Sequence, residues 1–151
     1  NNSKGEEMIK KLALAVMDKQ FIKEEDKIRA MQVYYMAGAM GSEYYDKPKL
    51  NILPPDIAKQ VFDFGVNAGP QTAIKHLQKV IGAEQDGILG PKTLKMLQKR
   101  DSMEVINRLL DSRQAFYQDL AKQKPTVYGK FLQGWLNRIA SQRPGKAQNG
   151  R

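Results

Sequence analysis

Asp63-Phe64-Gly65-Val66-Asn67-Ala68-Gly69-Pro70 is the stretch that decides the fold, because two apolar-periodic segments meet at its Gly-Pro corner. Upstream, Pro54 or Pro55 suits the first turn of a helix, where a missing N–H breaks no bond. Ile57, Ala58, Val61, Phe62 and Gly65 then line one face, which Phe64 and Val66 widen, so this helix is expected to be mostly buried. Gly69 suits a helix end that needs positive φ, and Pro70 suits the first position of the helix that follows.

That following helix carries Ala73, Ile74, Leu77, Val80 and Ile81 at helical spacing. Asp86-Gly87 is a turn signal, and Gly90-Pro91 opens a short helix with Leu94 and Leu97. Asp101, with Glu104 three residues on, is an Asp variant of the capping box. It begins a long helix through Val105, Ile106, Leu109, Leu110, Arg113, Phe116, Tyr117 and Leu120. Lys124-Pro125 breaks that helix, and Phe131, Trp135 and Ile139 space a last one.

On the N-terminal side, Met8, Ile9, Leu12, Ala13, Val16 and Met17 predict an amphipathic helix over residues 6–19. Lys10, Lys11 and Lys19 fall on or near its wet side. A second helix is expected over 24–40, opened by Glu24-Glu25-Asp26, whose charge suits a helix N-terminus. Ile28, Met31 and Tyr35 form its stripe, and Gly38 and Gly41 weaken and end it. Residues 43–48 read as an aromatic, mixed-charge connector. The sum is an all-α fold of about seven helices, with no strand and no internal repeat. One domain is expected, in which an N-terminal segment (1–42) packs on a helical region (43–142), followed by a basic tail (143–151).

Twenty-five Lys and Arg against 16 acidic side chains give a net charge of +9. A surplus of that size favours a polyanionic partner, such as nucleic acid, anionic lipid or an acidic wall polymer. The basic residues form small clusters at Lys10-Lys11, Lys122 and Lys124, and Arg138 to Arg143, with no basic recognition helix interleaved with aromatics. No nucleic-acid partner is therefore expected, and attraction to an anionic envelope is. Cysteine is absent and His76 is the one histidine, which excludes disulfides, thiolate metal sites and multi-histidine zinc sites. No metal or other cofactor is expected, and no apolar run approaches a membrane span.

Leu77-Gln78, Gly82, Asp86-Gly87, Gly90-Pro91-Lys92-Thr93-Leu94 and Leu97-Gln98 together resemble a small helical peptidoglycan-binding motif. The spacing has a physical sense: Asp-Gly makes a tight turn, Gly-Pro starts the next helix and the leucines close a small core. With the 63–70 stretch and Gly134-Trp135-Leu136-Asn137-Arg138, residues 43–140 resemble the C-terminal half of glycoside hydrolase family 108. These are lysozyme-like N-acetylmuramidases found as phage endolysins and bacterial secretion activator proteins. Tyr44-Tyr45-Asp46 is similar to that family's Tyr-Trp-Asp element, with Tyr45 where Trp is usual. The family's catalytic glutamate lies in a Glu-Gly-Gly-Tyr stretch that this sequence does not contain; by spacing it is expected upstream of Asn1.

The resemblance implies bacterial peptidoglycan as partner and a place in the periplasm, the cell wall or the exterior. It leaves two classes of function, glycan cleavage and non-catalytic wall or protein binding; a basic nucleic-acid binder comes last. Muramidase chemistry needs a carboxylic acid held partly desolvated, so that a raised pKa lets it protonate the glycosidic oxygen. Asp63, inside an apolar helix, is one candidate; its other reading is a hydrogen bond to a neighbouring helix end. Glu43 and Asp46 flank Tyr44 and Tyr45, which either face a sugar or pack inward. Asn67 either offers its amide to a sugar acetamido group or merely ends a helix. Tyr44, Tyr45, Asp63 and Asn67 are the expected substrate-side residues. Asp86 and Gln78 read as turn residues, His76 as a surface or satisfied histidine, and Trp135 as core rather than sugar platform.

Overall fold

The computed structural model describes residues 3–18 and 24–144. Within them the protein is all-helical, as expected, with eight α-helices: α1 Lys4–Met17, α2 Glu24–Tyr35, α3 Ala37–Gly41, α4 Pro55–Ala68, α5 Pro70–Ile81, α6 Pro91–Gln98, α7 Ser102–Gln123 and α8 Pro125–Ser141. A π-helical turn, Ser42–Asp46, and a 3-10 turn, Leu50–Ile52, join α3 to α4. Lys19, expected at the end of the first helix, and the tail beyond Pro144 lie outside the described residues.

The helix boundaries follow their local chemistry. Ser3 caps α1 by accepting from the Glu6 amide at 3.0 Å, and Asp101 caps α7 by accepting from the Glu104 amide at 3.0 Å. Helices α4, α5, α6 and α8 each carry proline in the first turn. Gly69 takes φ +94°, which lets α4 end and α5 begin with this single residue between them.

Helices α4, α5 and α7 pack together and supply most of the core. Ile57, Ala58, Val61 and Phe64 of α4 meet a layer that includes Ile74, Leu77 and Ile81 of α5 and Leu109, Leu110 and Tyr117 of α7, all essentially without solvent exposure. Burying side chains of this size contributes roughly 1.5–3 kcal/mol each before the entropy of ordering is subtracted. Helix α8 packs on α7 and buries only Ile139 fully.

The second predicted helix is divided. Met36 separates α2 from α3, and the stripe of Ile28, Met31 and Tyr35 faces solvent, with Tyr35 79% exposed. Small residues take the inner face instead: Ala30 and Ala37 are buried, as is Ala13 on α1. Gly5 of α1 closely approaches Gly41 at the end of α3. A methyl group on Gly41 would overlap the backbone of Gly5 and Glu6. The 43–48 connector is helical too: Lys47 N–H reaches Ser42 C=O, a five-residue step that the π turn closes.

Candidate functional site

The site grows from α4. Asp63 and Asn67 are one turn apart on that helix, Arg113 and Tyr117 one turn apart on α7, and Arg138 and Gln142 one turn apart at the end of α8. The three pairs converge. Arg138 donates from Nε to Asp63 Oδ2 at 2.9 Å and from Nη2 to Oδ1, a bidentate clamp. Arg113 Nη2 lies 2.7 Å from Asp63 Oδ2 as an ion pair whose N–H does not point along a hydrogen-bond direction. Gln142 Nε2 donates to Asp63 Oδ2 at 3.2 Å, and Arg113 Nη1 donates to Gln142 Oε1 at 3.3 Å.

Tyr117 closes the network. Its hydroxyl accepts from Arg113 Nε at 2.9 Å and from Asn67 Nδ2 at 3.2 Å, while its ring is fully buried. That ring stacks on Trp135, with centroids 4.4 Å apart and planes at 26°, and meets Phe64 edge-on. Phe131 and Tyr128 lie against Trp135 in turn, at 5.7 and 6.3 Å.

This geometry decides the protonation of Asp63. Burial pushes its carboxyl up, but the Arg138 hydrogen bonds and charge, and then Arg113, outweigh burial and hold the pKa at about 2. Asp63 is therefore ionised at neutral pH and has no proton to give a glycosidic oxygen. Of its two sequence readings, engagement with neighbouring helices is the one found. The signal for its partners was in the sequence: Arg113 falls within the apolar stripe of α7, where a charge needs a partner.

The other expected substrate-side residues are spread apart in character. Asn67 is exposed at the end of α4, with its amide nitrogen on Tyr117. Tyr44 is half-buried against the core. Tyr45 is 8% exposed and packs into the core, the inward one of its two readings; burial and then the Asp46 charge push its phenol pKa up. Asp46 accepts from the Gly5 amide at 3.0 Å and so tends the positive start of α1. Glu43 pairs with Lys47, and Glu6 with Lys10 at 2.9 Å.

The Asp86 turn is structural, as read. Gln78, fully buried, donates from Nε2 to Asp86 Oδ1 at 2.9 Å and Ile88 C=O at 3.0 Å, and accepts from the Gly87 amide at 2.9 Å. His76 is satisfied by the Ser112 hydroxyl and wedged between Phe64 and Phe116; burial, then Lys79, pushes its pKa down. Among the described residues no cluster of three His, Asp or Glu could hold a metal ion, and no helix is long and apolar enough to cross a membrane.

Two family profiles divide the chain at the Gly69-Pro70 corner. Residues 6–69 match "Glycosyl hydrolase 108" and residues 72–140 match "Predicted Peptidoglycan domain". The N-terminal part of the chain is thus similar to the glycosyl hydrolase 108 family, and the remainder to the peptidoglycan domain. The Brucella abortus SagA structure is 28% identical, covers 93% of this chain and 77% of its own, and superposes with a TM-score of 0.62. No curated protein sequence matches. The glycosyl hydrolase 108 match also corrects the extent of the resemblance, which runs from residue 6 rather than 43 and takes in α1 to α3. Those helices carry only generic amphipathic and small-residue patterns, so the sequence alone pointed to no family there. These matches support a peptidoglycan-related, lysozyme-like function with peptidoglycan as partner, at the cell wall or outside the cell.

Proposed function

We propose that this chain recognises peptidoglycan through the surface where α4, α7 and α8 converge, and that Asp63 has no part in cutting it. The observation that carries this reading is the double arginine clamp on Asp63. It commits the one carboxylate that the sequence placed inside an apolar helix to holding three helices together. Asn67 stays exposed beside that clamp, with its side-chain carbonyl oxygen available to a sugar acetamido N–H. Tyr44 keeps part of its ring accessible, and the surplus of basic side chains favours an anionic polymer. Such a protein meets its polymer in the periplasm, in the wall or outside the cell.

Purified sacculi test the reading in two measurements. The protein is expected to co-sediment with them, and Asp63→Asn is expected to leave any fall in turbidity as it is in the parent. Failure to co-sediment overturns recognition. Clearing by the parent that Asp63→Asn abolishes, while the variant still binds, returns Asp63 to a catalytic role.

A further inference from the structure

Helix α8 places Tyr128, Phe131, Trp135 and Arg138 at i, i+3, i+7 and i+10, a single stripe along one face. Trp135 is anchored by its stack on Tyr117 and packs against the core, while the rest of the stripe stays partly open. Ile139 is the one fully buried residue of α8, while Phe131 is 47% exposed and Arg138 shows half of its side chain to solvent. Phe131 and Tyr128, each against Trp135 and beside a half-exposed guanidinium, exceed what attachment of α8 to α7 requires.

We infer that this stripe is a binding platform for a peptidoglycan glycan strand, with the rings against sugar faces and Arg138 against a carboxylate of the strand; the inference rests on the proposed peptidoglycan recognition. Four observations favour a glycan over another occupant. The rings are pre-arranged: buried Tyr117 stacks on Trp135, and Trp135 in turn holds Phe131 and Tyr128, so little freedom is lost on binding. Flat aromatic faces, with the polar tips of Tyr128 and Trp135 beside them, suit the alternately apolar and hydroxylated surface of a sugar. The stripe spans roughly 15 Å at 1.5 Å per residue, enough to follow a strand rather than hold one small molecule. It also lies wholly within the residues matched to the peptidoglycan domain.

The charge balance at its end selects an acidic glycan. Asp63 supplies one negative charge against the two of Arg113 and Arg138, which leaves one positive charge unmatched in the cluster. Arg143 does not add to it, being paired with Asp111 at 2.6 Å. Nε and Nη2 of Arg138 face Asp63, while Nη1 makes no hydrogen bond among the described residues. A carboxylate approaching along the stripe would meet that nitrogen. Lys130, with its ammonium 5.2 Å from the Phe131 ring centroid, adds a second cation beside the stripe.

Trp135 is the single tryptophan of the sequence, so its fluorescence reports this place and no other. Soluble peptidoglycan glycan strands, freed of stem peptides, should change its emission on titration; uncharged chitin oligosaccharides of similar length should bind about tenfold more weakly. Phe131→Ala, at an exposed position, should keep the parent melting temperature and lose about tenfold in affinity, while Phe131→Trp should retain binding. If the parent sediments with sacculi but its emission does not change and Phe131→Ala binds equally well, the platform is wrong and peptidoglycan recognition stands. Equal affinity for chitin oligosaccharides overturns the role of Arg138. A parent that does not sediment with sacculi overturns both readings.

Discussion

Arg138 grips Asp63 across 75 residues of sequence, with Nε 2.9 Å from Oδ2 and 3.1 Å from Oδ1 and with Nη2 on Oδ1. Arg113 holds the same carboxylate from α7, so a single negative charge joins α4, α7 and α8. The two arginines differ in what they have given up. Arg113 is 1% exposed and has left water, while Arg138 stays half-hydrated. The cluster's stability therefore depends on Asp63 more than on either arginine, since removing it strands a buried cation.

Asp63→Asn is expected to lower the stability of the fold by about 3 kcal/mol, because it leaves the Arg113 charge buried without a counter-charge. Acid unfolding tests the same contact with the native chain. The carboxyl falls from its ordinary 3.8 to about 2 in the folded protein, so its contribution is fully present above about pH 4. That contribution, about 2 kcal/mol, is lost as pH falls from about 4 towards 2. Urea midpoints measured across that window should drop for the parent, and this part of the slope should be missing in Asp63→Asn. Parallel curves would place the charge balance elsewhere.

Tyr117→Phe separates the hydrogen bonds from the ring stack. The substitution keeps the ring against Trp135 and Phe64 but removes the acceptor for Arg113 Nε and Asn67 Nδ2. Loss of about 1–2 kcal/mol is expected, because Arg113 Nε is left buried and unpaired. Trp135 emission should stay as in the parent, since its neighbours do not move. A shifted emission with full stability would reverse the assignment.

How much of this was legible in the sequence follows from how local each signal is. The α4–α5 corner, the Asp101 cap, the Pro125 break and the Gln78 turn all read correctly, because each depends on a few neighbouring residues. The division of α2 from α3 and the outward face of Ile28, Met31 and Tyr35 were not legible. Periodicity identifies a stripe but not whether a partner covers it, and here small residues on α1 and α2 bring those helices together. The site lies between these cases. Asp63 and Asn67 were identified one turn apart, but their partners Arg113, Tyr117 and Arg138 lie 50 residues or more along the chain. The inward turn of Tyr45 was not legible for a related reason: a tyrosine beside carboxylates looks the same in sequence whether its ring faces in or out.

Gly41→Ala is expected to destabilise the α1–α3 contact, because the added methyl would press into the backbone of Gly5 and Glu6, where no flexible side chain can yield. Overpacking of that kind costs about 2 kcal/mol, which for a chain of this size lowers the melting temperature by roughly 6 °C. Gly134→Ala, on open surface of α8, is the matched control and should be neutral or slightly stabilising. Equal melting temperatures for the two variants would show that α1 and α3 can separate without loss.

Gln78 joins the end of α5 to the Asp86 turn and the start of α6, and two substitutions distinguish its donor role from its acceptor role. Gln78→Leu fills similar space but leaves the Gly87 amide without an acceptor and the Ile88 carbonyl with only the Thr93 hydroxyl at 3.5 Å, a loss of about 2–3 kcal/mol. The Gly87 amide should then exchange with solvent hydrogen faster than the α5 amides around it. Gln78→Glu keeps an acceptor for Gly87 but turns the donating end into a second carboxylate facing Asp86 Oδ1 and Ile88 C=O. Repulsion should make it the weaker variant at neutral pH, and protonating the new carboxyl in mild acid should restore a donor and part of the stability. Protection of Gly87 in Gln78→Glu that does not recover with acidification would mean that the turn is held by Asp86 and Ile88 alone.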